Sequence, residues 1–364
     1  MKKRNVFSAL LVLAMVLSMA ACGNKPNSGS NSGNSSGTPN NGDSGSKVVL
    51  KVGNTVSEKD PFSICLAEFE KEVEEASGGS IDVQLFINGS IAGTDADVLD
   101  KVRANTLQMG HTTPNCLAAL VNMPEYYVYG IPYLMSSDEE LNTVAESEWI
   151  NGVNESFRTA SGVKVFPGGG VNMGWFGFSA TGKQLDSISD VAGMSIRINQ
   201  TNQMIALAEG AGINPQFIAF SEVYTALAQG TVDGMVTNAP LFYSNGFYDQ
   251  LKSILTTHCG ESYHFYIIND QFYSSLSSEQ QKVLDEAVVN LIAKTRKMEE
   301  TYLAEAVSSM TDAGVTVKEA SAADEEFLAN ISREKIWWDP NTSLTPVENV
   351  NKVLEILGRT DEMQ

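Results

Sequence analysis

Two hydrophobic periods alternate along residues 48–250 of this chain. Short apolar runs such as Val48–Gly53 and Ser80–Phe86 predict β-strands. Between these runs, apolar residues recur three and four positions apart, which predicts helices; the first such helix places Phe62, Cys65, Leu66 and Phe69 on one face. Regular alternation of strand and helix is typical of an α/β protein with a largely parallel sheet.

The strand–helix pattern occurs in two blocks, which predicts two lobes. Glycines at 168–170 and at 260 mark the places where we expect the chain to cross from one lobe to the other. The expected division is residues 48–174 with about 262–300 in the first lobe. The second lobe would hold residues 175–261 with about 301–364, including C-terminal helices.

One long helix is expected after Ser277. Ser277 and Gln280 have the spacing of a capping box, and neither Gly nor Pro follows before Gly314. A helix of about 35 residues would be ~50 Å long, which exceeds the width of one lobe. We therefore predict that this helix runs along both lobes.

The N-terminal segment has the organisation of a secretory leader. Lys2, Lys3 and Arg4 precede an apolar run that ends in small residues, so residues 1–21 are expected to be a signal peptide. Met19–Cys22 resembles the lipobox of bacterial lipoproteins, which predicts lipidation of Cys22. The following residues to position 46 are mostly Gly, Ser and Asn, and such a tether has a reach of roughly 25–30 Å.

Composition limits the possible partners. The formal net charge is −20, and cleavage before Cys22 would make it more negative. Such an acidic surface argues against nucleic acid as a partner, so positive potential for an anion must be local to a cleft. Three cysteines follow Cys22, an odd number for a disulfide framework, and we expect buried free thiols at Cys65, Cys116 and Cys259.

The two expected lobes carry no sequence signature of catalysis, metal binding or cofactor binding, and the one GxSxG match, Gly33 to Gly37, falls in the tether. The chain contains no HExxH, no CxxC pair and no P-loop, so neither a metal nor a cofactor is predicted. His111, His258 and His264 are far apart in the sequence, and we expect structural or surface roles for them rather than ligand or base roles. The absence of an evident acid–base pair favours a protein that is not an enzyme.

Arg197 is the residue most suggestive of a ligand. It lies in the alternating segment Met194–Asn199, on the strand face opposite to Ile196 and Ile198. A guanidinium removed from water keeps its proton and needs an anionic partner. That partner would be either a carboxylate ligand or a buried Asp or Glu of the chain itself.

Several motifs around Arg197 resemble one family. The segments Asp190–Arg197, Ala219–Leu227 and Val232–Gly234, with flanking motifs at 88–93, 131–134 and 247–248, closely resemble the substrate-binding proteins of TRAP transporters, the DctP family. The similarity covers the chain from Val48 onward. It implies an α/β fold of two lobes, like that of periplasmic binding proteins, with a ligand cleft between the lobes and a long helix spanning both.

The resemblance also implies a function and a location. The expected protein captures an organic acid anion, such as a sugar acid, outside the cytoplasm and delivers it to TRAP-type permease subunits driven by an ion gradient. The lipid at Cys22 would hold it at the outer face of the cell membrane. Alternatives are the receptor of an ATP-driven importer and a surface-anchored glycan hydrolase.

The resemblance assigns roles to particular residues. Arg197 matches the arginine that holds the ligand carboxylate, and Phe220 matches an aromatic residue beside the ligand, with plain core packing as its alternative. Thr237 or Asn238 is expected to reach the cleft, because neighbours on a strand face opposite ways. Thr113 and Asp95 fall near ligand positions of the first lobe.

One departure from the family pattern concerns the number of cations. Many members carry a second arginine where this chain has Phe176. Its loss suggests a ligand with one carboxylate, or one whose apolar or sugar-ring body is covered by Trp175 or Phe176. The alternative is that both aromatic residues belong to the strand core.

Overall fold

The structure is a computed structural model that describes residues 47–364. The predictions for the leader, Cys22 and the tether therefore lie outside the described residues. The strands are β1 (Val48–Gly53), β2 (Ile81–Phe86), β3 (Met109–Thr112), β4 (Val163–Val165), β5 (Val171–Ala180), β6 (Ser195–Arg197), β7 (Asn214–Gln216), β8 (Gly234–Asn238), β9 (Ser253–Asn269) and β10 (Thr316–Glu319).

Helices alternate with these strands through most of the chain. They are α1 (Pro61–Ala76), α2 (Asp95–Arg103), α3 (Pro114–Val121), α4 (Asp138–Ala145), α5 (Glu148–Ser161), α6 (Asn202–Gly210), α7 (Val223–Ala228), α8 (Ala239–Ser244), α9 (Asp270–Ser275), α10 (Ser278–Asp312), α11 (Ala322–Ser332), α12 (Pro340–Ser343) and α13 (Val347–Ile356). A π-helical turn, Arg333–Trp337, continues α11.

The strands form one mixed sheet in the order β2-β1-β3-β9-β5-β8-β6-β7, with β4 and β10 also paired to β9. Pairing is parallel at the two ends of this order, between β1 and its neighbours and between β6 and its neighbours. These two parallel groups are the sheets of the first and second lobes. The predicted α/β class is confirmed, and the fold matches the two-lobe architecture.

Two long antiparallel strands, β5 and β9, connect the lobes. The C-terminal half of β9 pairs with β3 of the first lobe, whereas its N-terminal half pairs with β5 and β10. The ladder between β5 and β9 is irregular between Asn172 and Gly177. Gly174 in this stretch has φ 129°, a conformation that side chains other than glycine rarely adopt. The crossing point is therefore an irregular place in an otherwise continuous ladder.

Helix α10 has the length and start that were predicted. Ser277 caps it, and Gln280 completes the capping box. Residues in its first half, including Leu284, Val288 and Leu291, pack in a core shared with α1 and β1. Near its C-terminal end, Met310 packs in the core of α7, α8 and β8. The helix thus contacts both lobes.

The C-terminal helices pack against both lobes. Leu328 in α11 and Val353 in α13 belong to the same core cluster as Tyr126 of the first lobe and Ile196 of the second. Trp337 is fully buried, and its indole N–H donates to the carbonyl oxygen of Pro132 at 3.0 Å. The exact lobe boundaries proposed above stay a prediction.

Cys65, Cys116 and Cys259 are free thiols, with Cys65 and Cys259 buried and Cys116 partly exposed. Within the described part of the chain, none of the helices has both the length and the apolar composition that a membrane crossing requires.

Candidate functional site

A cavity of about 470 Å³ lies between the two lobes. Its walls come from segments that follow β1 and β2 in the first lobe and from the ends of β6 and β8 in the second. Ligands of open α/β sheets bind outside the carboxyl ends of the strands, and the cavity lies at that edge. The crossing strands β5 and β9 contribute Phe176 and Ser262 to its floor.

Arg197 is the last residue of β6 and lines this cavity. Its side chain is buried, with 7% of the residue exposed. Nε donates to the carbonyl oxygen of Ile218 at 3.2 Å, and Nη1 donates to Oδ1 of Asn199 at 2.9 Å. Both partners are neutral. Among residues 47–364, no carboxylate pairs with Arg197, and burial alone lowers its pKa. The guanidinium therefore keeps an uncompensated positive charge that faces the cavity.

Phe220 lies beside this cation. The ring centroid is 5.6 Å from the guanidinium carbon of Arg197, close enough for a cation–π interaction. Phe220 is 39% exposed and contacts Phe247 edge-on, so it is not an ordinary core residue. The aromatic face covers one side of the guanidinium and leaves other donors free for a ligand.

The opposite wall of the cavity carries two carboxylates. Asp60 caps α1, where Oδ1 accepts from the Phe62 backbone N–H at 3.0 Å, and burial raises its pKa to about 6. Asp95 begins α2 and accepts from the Thr55 hydroxyl at 3.1 Å. Burial would raise the pKa of Asp95, but the adjacent His264 outweighs burial and lowers the pKa to about 2. The cavity is thus positive on one side and acidic on the other.

Two histidines that are far apart in the sequence meet behind this acidic wall. The rings of His111 on β3 and His264 on β9 lie 5.0 Å apart, centroid to centroid, at 82°. His264 lines the cavity and places Nε2 3.2 Å from Oδ2 of Asp95. His111 is 1% exposed, and burial lowers its pKa to about 3. His111 is therefore a neutral imidazole near pH 7.

The neighbours Trp175 and Phe176 occupy opposite faces of β5. Phe176 lines the cavity, and its ring packs against Gly260, where a Cβ atom would lie 2.8 Å from the ring. Trp175 faces away: its ring lies 5.0 Å from that of His258, and its indole N–H donates to Asp138. Phe176 therefore has the position beside the ligand that was predicted for one of the two residues, whereas Trp175 lies outside this cavity.

Thr237 and Asn238 are also neighbours on one strand, β8, and their side chains point to opposite faces. Thr237 lines the cavity. Asn238 is fully buried, and its side chain accepts from the Leu241 backbone N–H at 2.9 Å as the N-cap of α8. Its amide nitrogen has no hydrogen-bond partner among the described residues. Of the two candidates, Thr237 is the one that reaches the cavity.

Thr113 lines a smaller adjacent cavity of about 290 Å³. The two cavities share Phe176, Asn199 and Ser262, so they form neighbouring parts of one cleft. Thr113 precedes α3, and its hydroxyl lies 3.2 Å from the sulfur of Cys116. It can reach a ligand only if that ligand extends into the smaller cavity.

Sequence reasoning missed several cleft residues. Asn199 follows Arg197 by two positions and therefore shares its strand face, a signal that was present. Asp60 carried only the signal of a helix N-cap, but it lies in the segment between β1 and α1, which follows the carboxyl end of a parallel strand and can reach the ligand edge. His264 carried no local signal, because its partners lie in distant segments.

Comparison with protein families identifies a matching group. The model of the bacterial extracellular solute-binding proteins, family 7 (DctP), matches residues 52–336. The C4-dicarboxylate-binding periplasmic protein DctP of Rhodobacter capsulatus is 26% identical over 307 residues, which is 83% of this chain and 86% of that protein.

Solved structures share the fold. The sugar acid binding protein of Advenella mimigardefordensis in complex with galactonate superposes with a TM-score of 0.75 at 19% identity, over 86% of this chain and 98% of that chain. A TRAP periplasmic solute binding protein of Haemophilus influenzae with bound L-gulonate gives a TM-score of 0.73 at 23% identity, over 85% and 100% of the two chains.

Proposed function

This chain belongs to family 7 of the bacterial extracellular solute-binding proteins, the DctP family of TRAP transporters, and from that premise we propose that it captures an organic acid anion in the cleft between its lobes and delivers it to a TRAP permease. Members of this family act outside the cytoplasm and bind solutes without catalysing a reaction. The acid and the delivery step are the proposed parts.

The observation that supports an acid ligand is the state of Arg197. A buried guanidinium without a carboxylate partner is unfavourable, because it has lost hydration and gained no counter-charge. A ligand carboxylate would accept from the remaining guanidinium donors in a charge-assisted, bidentate geometry. Because the net charge of the chain is −20, this local positive site has to overcome a repulsive surrounding field.

The remaining cavity residues favour a hydroxylated monocarboxylate, a sugar acid. Among the described residues that line the larger cavity, Arg197 is the only Arg or Lys. Asp60 and Asp95 on the opposite wall would repel a second carboxylate but can accept from hydroxyl groups. Galactonate and L-gulonate, which occupy the two related structures described above, have this combination of one carboxylate and several hydroxyls.

The proposed mechanism is closure of the cleft around the ligand. Arg197 and Thr237 lie on the second lobe, and Asp60 and Asp95 lie on the first, so a ligand that contacts both walls favours the closed arrangement. Bending at the irregular ladder around Gly174 would allow this motion. Closure would exclude water and strengthen the ion pair with Arg197. The permease would recognise the closed form.

We further propose that the protein is held at the outer face of the cell membrane by a lipid on Cys22. The lipobox-like sequence ending at Cys22 supports this, as does the Gly-, Ser- and Asn-rich segment that follows it.

A ligand screen tests the proposed function. The folded domain, residues 47–364, is heated in the presence of aldonates, uronates, C4-dicarboxylates, keto acids and the neutral sugars of matching structure. A specific acid should raise the melting temperature, because it binds only the folded state. Calorimetry on Arg197→Ala should then show at least about 30-fold weaker binding, the effect of leaving a buried charge pair with one member.

The exposed Arg103 provides the control for this substitution. Arg103→Ala removes the same side chain outside the cavity and should leave affinity unchanged. Undiminished binding of the acid by a folded Arg197→Ala variant would contradict the proposal.

A further inference from the structure

Three groups from distant segments converge beside the cleft. Asp95 on α2, His111 on β3 and His264 on β9 each offer one ligand atom, and these atoms all lie within 4.8 Å of one another. The spacing of these residues in the sequence predicted no metal site, because the cluster forms only when the three elements pack together. Nothing described so far requires two histidines at this position.

His264 makes an unusual contact with Asp95. Nδ1 lies 3.2 Å from the carbonyl oxygen of Ser262, and since a carbonyl can only accept, Nδ1 carries a hydrogen. In the neutral ring, Nε2 then holds a lone pair, which points at Oδ2 of Asp95 only 3.2 Å away. A lone pair and a carboxylate oxygen repel each other unless a cation or a second ring proton lies between them.

His111 also lacks a partner. It is 1% exposed, and both ring nitrogens have no hydrogen-bond partner among the described residues. One nitrogen of a neutral imidazole is a donor and the other an acceptor, so burial of both without a partner is costly. Phe62 packs against the ring at 4.4 Å and holds it in place. A metal ion would use the available lone pair.

We propose that Asp95, His111 and His264 bind a divalent transition-metal ion of the zinc type, with an open coordination position facing the ligand cleft. Two imidazoles and one carboxylate are a common ligand set for zinc in sites that leave one position free. The alternative is that a second proton on His264 bridges to Asp95 and no metal binds.

The separations between the three ligand atoms fit a tetrahedral zinc site after a small movement of the side chains. With metal–ligand bonds of about 2.0–2.2 Å, neighbouring ligand atoms in a tetrahedron are roughly 3.3–3.5 Å apart. The His264–Asp95 pair, at 3.2 Å, is already near this value. All three ligand atoms lie within 4.8 Å of one another, so closing the set around one ion needs a movement of at most roughly 1.5 Å.

Hydrogen bonds orient two of the proposed metal-binding residues, His264 and Asp95. His264 donates its other ring N–H to the Ser262 carbonyl, the arrangement typical of histidines that bind metals. The second carboxylate oxygen of Asp95 accepts from Thr55. Asp95 and His264 both line the larger cavity, so the open position is accessible from the cleft. Bound zinc would offset the negative charge of Asp95, so in the zinc-loaded protein the repulsion of a second carboxylate would come from Asp60.

The chain suits a test with metal alone, because it contains only three histidines and His258 lies outside the cluster. Tag-free protein, stripped with a chelator, is titrated with Zn²⁺ in competition with a colorimetric chelator and, separately, with Co²⁺. We expect one equivalent of zinc, and a Co²⁺ spectrum of four- or five-coordinate N/O type without thiolate charge-transfer bands.

Substitution of the two cluster histidines tests whether they bind the metal. His111→Gln and His264→Gln should each weaken zinc binding by more than the ~10–100-fold that loss of a supporting hydrogen bond produces. The matched control is His258→Gln, since His258 is 48% exposed and paired with Glu325. It should bind zinc as the wild type does, and circular dichroism checks that all three variants are folded.

Three results would overturn the proposal. They are failure of the wild-type protein to bind one equivalent of zinc, undiminished binding in both cluster variants, and thiolate bands that place the metal on Cys116 or another cysteine. If the cluster variants do not fold, X-ray absorption on the zinc-loaded wild type identifies the coordinating atoms. The proposed site requires two imidazoles and no sulfur, and any other ligand set would overturn it. Acid binding measured with and without the chelator keeps this outcome separate from the proposed function.

Discussion

At the scale of single residues, the side on which each strand residue faces determines its role in the cleft. Thr237 lines the cavity while Asn238 caps α8, and Phe176 lines it while Trp175 contacts His258. The period of a strand predicted that only one member of each pair could reach the ligand. Which member it would be depends on the packing of the second lobe, and one sequence without its neighbours does not contain that information.

The pair Thr237 and Asn238 permits a direct prediction. Thr237→Val keeps the shape of the side chain and removes the hydroxyl, so acid affinity should fall roughly 2- to 12-fold, the effect of one hydrogen bond. Asn238→Ala removes an N-cap and should instead lower the free energy of unfolding by about 0.5–2 kcal/mol. Calorimetry with the bound acid and urea denaturation measure the two effects. An affinity loss confined to Asn238→Ala would mean that the wrong residue was assigned to the cleft.

The sequence around Arg197 indicated a ligand but did not indicate which residues face Arg197 across the cleft. A cation in an apolar strand predicted either a ligand or an internal ion pair, and the structure shows neutral partners only, Ile218 and Asn199. The first-lobe residues that face it, Asp60 and His264, had no such local signal. Their part in the cleft arises from the approach of two lobes, which local pattern does not describe.

At the scale of elements, regular helices were the most predictable parts. The capping box at Ser277 and the lack of breakers before Gly314 predicted α10 almost to the residue, since both signals are local. The helical segment between Asp138 and Ser161 is divided into α4 and α5, because Ser147 caps α5 after α4 has ended. The 17-residue strand β9 was missed. Gly260 was expected to mark a crossing between the lobes, and it lies inside this one strand, beside Phe176.

Helix α10 contains a buried carboxyl group that opposes folding at neutral pH. Glu299 is 5% exposed, and neither carboxylate oxygen has a hydrogen-bond partner among the described residues. Burial, with a smaller effect of Asp60, raises its pKa from 4.5 to about 9. The folded state therefore binds a proton that the unfolded state releases, so stability is full below pH 4.5 and is lost as the pH rises toward 9.

Replacing this group should stabilise the protein. Glu299→Gln keeps the shape and removes the titration, so it should raise the free energy of unfolding at pH 7 by up to about 3 kcal/mol. The gain should increase with pH between 5 and 8 in urea denaturation. Glu300→Gln is the matched control, because Glu300 is 66% exposed, and its replacement should change the free energy of unfolding by no more than about 0.5 kcal/mol. A gain that does not depend on pH would rule out this explanation.

At the scale of the whole molecule, the proposed anchor sets where the receptor works. The described residues begin at position 47, and in this proposal a lipid on Cys22 would hold the lobes near the outer face of the membrane. Cys22→Ala should move the protein from the membrane fraction to the soluble fraction and abolish incorporation of labelled fatty acid. Ligand affinity should not change. Wild-type protein that takes up no fatty acid would contradict the anchor while leaving the cleft mechanism intact.

The central claim is that the unpaired guanidinium of Arg197 selects ligands by their carboxylate. The most direct test is a cycle of four calorimetric affinities, for the tightest-binding acid of the screen and its neutral alcohol analogue, each with wild type and with Arg197→Gln. The account predicts that wild type prefers the acid by at least about 30-fold and that the variant has lost this preference. A folded variant that still prefers the acid by the same factor would contradict it, since the carboxylate would then be recognised elsewhere.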